Sequence, residues 1–120
     1  MSDDIPSELA REALVRLEQR LALDGAPAYE ELLHEDALVV VPGAVLNKGE
    51  CVAAIAASAG WDRIDIAPFW YFGTADTASI AYRFTGNRGP DEYQAVMLSA
   101  YLLEAGRPRL IHHQQTPEAS

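Results

Sequence analysis

The chain has 120 residues, 49% of them hydrophobic, and a formal net charge of −9. That length suits one domain with its own core, and that hydrophobic share excludes a disordered chain. A single lysine and eight scattered arginines form no basic cluster, which excludes non-specific nucleic-acid binding and anionic membranes; plain solubility accounts for the acidity.

No apolar run approaches the ~18 residues of a membrane span. The start, Met-Ser-Asp-Asp, is acidic and carries no basic, apolar signal segment, so a cytoplasmic protein is expected. The single Cys51 leaves no internal disulfide and no paired-cysteine site. It falls in a predicted helix, as a small core residue rather than a nucleophile.

Residues 1–5 are expected to be a frayed tail. Ala10, Leu14, Leu17 and Leu21 then recur at helical steps, with Arg11, Glu12, Arg16, Glu18 and Arg20 on the other face. This predicts an amphipathic helix over 6–23, with Pro6 in its first turn and Asp4 or Ser7 as cap. Asp24-Gly25 and Pro27 stop it. A short helix over 27–33 and a β-branched strand over 36–41 follow, the strand ended by Pro42-Gly43. Asn47-Lys-Gly-Glu50 is a capping box that opens an Ala-rich helix over 48–58, closed near Gly60.

From Trp61 the chemistry is that of strands. Residues 62–72 and 77–85 are joined by the hairpin turn Gly73-Thr-Ala-Asp76. Gly86-Asn-Arg-Gly-Pro-Asp91 and Glu104-Ala-Gly-Arg-Pro108 are the next turns, around strands over 93–104 and 109–117. The order is α-α-β-α-β-β-β-β, a single α+β domain over 1–120 with three helices against a mostly antiparallel sheet.

Strand alternation sorts the side chains. Tyr93, Ala95, Met97, Ser99 and Tyr101 share one face, as a pocket wall would. Gln94, Val96, Leu98, Ala100 and Leu102 share the other, and its apolar character calls for a cover, most simply a second copy. Ala78, Ile80, Tyr82 and Phe84 share a face, as do Ile64, Ile66, Trp70 and Phe72. Pro68 marks an edge or a bulge. The last strand carries His112, His113, Gln114 and Gln115 where apolar residues are expected, which points to a lined cavity.

This order resembles the nuclear transport factor 2-like superfamily. The residues that carry the resemblance are the helix end from Leu17 to Asp24, Tyr29-x-x-Leu-Leu-x-x-Asp-Ala-Leu-Val-Val-Val-Pro-Gly43, Trp61 ahead of the sheet, Tyr93-x-Ala-x-Met-x-Ser-x-Tyr101 and His113-Gln-Gln-Thr-Pro117. More narrowly, the chain is similar to small bacterial proteins of that superfamily related to polyketide cyclases and ketosteroid isomerases. The resemblance implies a curved sheet wrapped around helices as a cone, a pocket at its open end, and homodimerisation through the sheet. The tryptophan that usually opens the last strand in these proteins is missing from Gly106-Arg-Pro108. Such a fold hosts enzymes and binders alike and implies no activity.

The candidate ligand-binding residues are therefore Trp61, Tyr82, Tyr93, Met97, Ser99 and Gln115, around a small apolar molecule. His112 and His113 face opposite ways, and His113 occupies the family position. His113 or Asp36 is the candidate catalytic base, with Tyr82 or Tyr93 as hydrogen-bond donor, if the chain moves protons on an enolisable substrate. A third reading is a non-catalytic module that associates through its outer sheet face. No spaced set of three ligands accompanies the histidines, so no metal is expected, and no nucleotide-binding glycine motif calls for a cofactor.

Overall fold

The structure is a computed structural model that describes residues 4–118. Residues 1–3 of the expected tail lie outside them; Asp4 and Ile5 are exposed. The N-terminal helix is interrupted. A 3₁₀ turn, Ser7–Leu9, precedes α1 (Arg11–Asp24), and Ala10 between them is extended at φ −62°, ψ 153°. Neither piece has a side-chain cap, so Asp4 and Ser7 do not act as caps. The break follows from tertiary anchoring: Leu9 is fully buried, and its carbonyl accepts a 2.6 Å hydrogen bond from the Tyr71 hydroxyl.

Gly25, at φ 70°, lets α1 turn directly into α2 (Ala26–Leu32). β1 (Leu33–Val41) starts earlier than the β-branched run suggested. It folds back through Pro42-Gly43 onto a short strand that sequence reading missed, β2 (Ala44–Leu46). The capping box is as read: Asn47 and Glu50 exchange two 2.9 Å hydrogen bonds and open α3 (Lys48–Ala56). Cys51 is buried on α3, and burial pushes its thiol up to about 11, which fits a core residue and not a nucleophile.

The long strands are β3 (Arg63–Gly73), β4 (Thr77–Arg88), β5 (Asp91–Glu104) and β6 (Arg107–Pro117). β4 and β5 run further than expected, and their turn shrinks to Gly89-Pro90. The six strands form one curved, open sheet in the order β2-β1-β6-β5-β4-β3. Among the described residues only β1 and β6 pair in parallel. This is the mostly antiparallel α+β arrangement that the sequence implied.

Two bulges decide which side chains face the helices. Pro68 pairs with Tyr82 but Trp70 with Ala81, so Phe69 is an extra residue on the edge strand β3. A one-residue slip exchanges the faces of a strand. Ile64 and Ile66 therefore face inward, whereas Trp70 and Phe72 face out and Tyr71 turns in, which corrects the shared face assigned to all four. On β6, Tyr101 pairs with Leu110 and Ala100 with His112, so Ile111 is the extra residue. This bulge lets Leu110 and His113 both face the core. The inner faces of β4 and β5 are those read from alternation.

Candidate functional site

The site grows from a residue that sequence reading put on the wrong face. Glu18 was assigned to the polar side of the first helix. It lies one turn after Leu14 and one before Leu21, and it is buried with them at 1% exposure. A carboxylate in such a place needs several donors. The inner faces of β4 and β5 supply them. Tyr82 donates to Oε1 at 2.5 Å and Ser99 to the same oxygen at 2.8 Å, while Tyr101 donates to Oε2. Burial, then the Glu18 charge, holds the Tyr82 and Tyr101 hydroxyls well above the ordinary tyrosine range, so both keep their protons and donate.

His113 joins through Ser99. Its Nδ1 lies 2.7 Å from Ser99 Oγ and 3.9 Å from Glu18 Oε1. The one hydroxyl proton of Ser99 goes to Glu18, so Ser99 accepts from Nδ1–H. Burial lowers the His113 pKa, outweighing the opposing pull of Glu18, and His112 adds to the lowering. The ring is therefore neutral, with a lone pair on Nε2. Arg109 Nε is the only buried side-chain nitrogen or oxygen without a partner among the described residues. Nε2 of His113 and the Tyr29 hydroxyl also make no hydrogen bond among the described residues, but these two atoms keep some accessible surface, and both residues line the cavity. The two rings meet edge to face, with centroids 6.2 Å apart. Burial raises the Tyr29 pKa, and Glu18 and Cys51 raise it further, so its hydroxyl is a donor.

The cavity measures about 560 Å³. Leu21, Ile55, Phe84 and Met97 give it apolar walls, and the α1–α2 turn from Asp24 to Pro27 forms one rim. Trp61 stands at the other rim. It stacks on Tyr93 with centroids 5.7 Å apart and rings 17° from parallel, and meets Phe84 edge to face at 5.5 Å. Tyr93 in turn donates to Gln115 Oε1 at 2.9 Å. A Cβ on Gly86 would sit 2.6 Å from the Trp61 ring, so only glycine leaves room for the indole there.

Of the residues chosen from sequence, Trp61, Tyr82, Met97, His113 and Gln115 line this cavity. Ser99 lies beneath its surface, fully buried, and bonds Glu18 to His113. Tyr93 backs the rim through Trp61 and Gln115. Asp36 stands apart: it is exposed on β1, and its backbone N–H donates to His34 Nδ1 at 3.0 Å. His112 is on the opposite face of β6 from His113. Sequence reading missed Glu18, Tyr29 and Arg88, and it put Tyr101 on the pocket-wall face without choosing it as a site residue. Glu18 had a signal, a charged residue at a core position of the helical repeat. Among the described residues no group of three or more His, Cys, Asp or Glu side chains could hold a metal ion, and no helix is long and apolar enough to cross a membrane.

No family model matches the sequence, and no curated protein matches it. Solved structures do. A ketosteroid isomerase candidate from Parabacteroides distasonis superposes with a TM-score of 0.79 at 13% identity, over 98% of this chain and 97% of its own. A ketosteroid isomerase-like protein from Erwinia carotovora gives 0.78 at 16% identity, over 95% and 98%. An NTF2-like protein from Cytophaga hutchinsonii gives 0.75 at 18% identity, over 90% and 98%. Identities this low speak for architecture alone, and on that architecture the chain has the nuclear transport factor 2-like fold.

Proposed function

We propose that this chain binds a small, largely apolar molecule in the cavity between its helices and the inner sheet face. One observation carries the reading: a cavity of about 560 Å³ with both apolar and polar walls is lined by Tyr29 and His113, whose rings lie 6.2 Å apart and whose hydroxyl and Nε2 make no hydrogen bond among the described residues. Such a cavity is large enough for a compact bicyclic molecule, and convergent polar groups at its floor would orient it. A ligand hydroxyl satisfies both groups at once, accepting from Tyr29 and donating to His113. The probe is 2-naphthol, followed by calorimetry. It should bind, and Tyr29→Phe and His113→Gln should each weaken it ~10-fold, the value of one buried hydrogen bond. No binding, or binding that neither substitution weakens, overturns the reading.

A second reading, proton transfer on an enolisable ketone, is favoured by the neutral His113 and its neighbour. His113 Nε2 would take the proton from carbon α to the carbonyl, and Tyr29 would donate to the carbonyl oxygen. Asp36, exposed on another strand, takes no part in it. The neighbours called ketosteroid isomerase-like accord with this chemistry. With 2-tetralone as probe, solvent deuterium should enter the α carbon. The rate should rise with pH as His113 loses its proton and then level off, with the midpoint of the rise below 6.5, because burial lowers the histidine pKa from that value. No enzyme-dependent exchange, or a profile unchanged in His113→Gln, removes this reading.

The outer sheet face supports self-association as well. Trp70, Ala81 and Leu98 lie side by side across β3, β4 and β5, and Trp70 and Leu98 are exposed, as is Leu38 on β1. A second copy seated there would cover them. Sedimentation should give a dimer that Leu98→Glu separates into monomers; a wild-type monomer at high concentration ends the idea.

A further inference from the structure

Arg88 has no part in the donor and acceptor pair at the cavity floor, yet it lines the same cavity. It ends β4, two residues after the glycine that admits Trp61. Its guanidinium lies 4.2 Å over the Trp61 ring, and its Nε donates to the Gly60 carbonyl at 2.7 Å. A long surface arginine usually roams. This one is held at two places, by the face of the indole and by a backbone oxygen. Its two Nη groups have no hydrogen-bond or ion-pair partner among the described residues. A fixed guanidinium with a free fork is the geometry that takes a carboxylate through two parallel hydrogen bonds.

The acidic groups of the cavity do not occupy it. Glu18 is satisfied by three hydroxyls, and Asp24 lies 3.5 Å from Arg20 in an ion pair on α1. Among the described residues that line the cavity, Arg88 is the only basic one other than His113, and His113 is neutral. The cavity thus has two carboxylates that already have partners, Tyr29 and a neutral His113, apolar side chains, and one unpaired cation beside Trp61.

We propose that the ligand is a carboxylate: an apolar body with a hydroxyl or carbonyl at one end, for Tyr29 and His113, and an anionic group at the other, paired with Arg88. This rests on the binding reading above and narrows it to one chemical class. It also assigns Trp61 a purpose, as the platform that holds Arg88 in place.

The test uses two probes that differ only in charge, 6-hydroxy-2-naphthoate and 6-hydroxy-2-naphthamide, titrated calorimetrically into the full chain at low salt. The carboxylate should bind about 5- to 10-fold more tightly than the amide, the range between an exposed ion pair and a bidentate one. Arg88→Gln should bring that ratio to about one. Arg88→Lys should keep part of it, since an ammonium retains the charge but loses the planar fork. Added salt should shrink the wild-type ratio. If both probes bind equally to the wild type, or if the ratio survives in Arg88→Gln, the anion subsite is wrong while the cavity stands. If neither probe binds, the cavity reading itself fails, and this proposal with it.

Discussion

Replacing Glu18 with alanine should cost about 3–5 kcal/mol of folding stability, read from chemical denaturation. That is the range expected when a buried side chain is cut back to alanine and hydroxyls that it satisfied are left without an acceptor. The substitution leaves a void between α1 and the sheet. It also strands the hydroxyls of Tyr82, Ser99 and Tyr101, each of which loses its acceptor. Glu18→Gln should cost less, about 1–3 kcal/mol, because the amide oxygen still accepts while the amide nitrogen now faces a hydroxyl. The two variants should differ in chemistry too. With the carboxylate gone, the Ser99 proton is free to turn toward His113 Nδ1, 2.7 Å away. The imidazole proton would then move to Nε2, and the acceptor at the cavity floor would become a donor. Nitrogen chemical shifts of His113 should report this switch in Glu18→Ala and not in Glu18→Gln. A loss under ~1 kcal/mol in Glu18→Ala, with no tautomer change, would mean that Glu18 does not organise the site.

Gly86→Val should destabilise the fold by about 1–3 kcal/mol, the usual range for overpacking. A side chain there would press on Trp61 at 2.6 and 2.8 Å and on Phe84 at 2.9 Å. The indole is half-buried, so it would give way more easily than the sheet. Leaving its place, it would abandon the stack on Tyr93 and the platform under Arg88. Trp61 fluorescence should shift to the red, and 2-naphthol should bind at least several-fold more weakly. Wild-type fluorescence and affinity in this variant would show that Trp61 does not shape the rim.

The strands were the legible part of this protein. Their alternation placed Tyr93, Ala95, Met97, Ser99 and Tyr101 on one face, and all of them face inward. Alternation fails only where the backbone breaks its own period. Trp70 and Phe72 changed sides because of Phe69, and Pro68 was a visible warning that no count of apolar residues would have resolved. The helix misled for a different reason. Glutamate is an ordinary surface residue, so Glu18 was grouped with its charged neighbours. Three hydroxyls from strands more than sixty residues further on make its burial tolerable, and no local pattern contains them. Tyr29 falls in the short helix over 27–33 and opens a motif of the resemblance, and neither marks its hydroxyl as part of a site. That its hydroxyl lacks a partner is a fact about the cavity rather than about the helix.

The strand order has a consequence for how the chain comes together. β6, the last strand made, inserts between β1 and β5 and pairs with both. Until it is in place, β1 with β2, and β3 with β4 and β5, are two separate ribbons with open edges, and nothing but helices joins them. Folding must therefore wait for contacts between distant parts of the chain, which slows it. During synthesis the exposed edges invite pairing with other chains. His113 rides on that final strand, so the floor of the cavity is completed only in the step that closes the sheet.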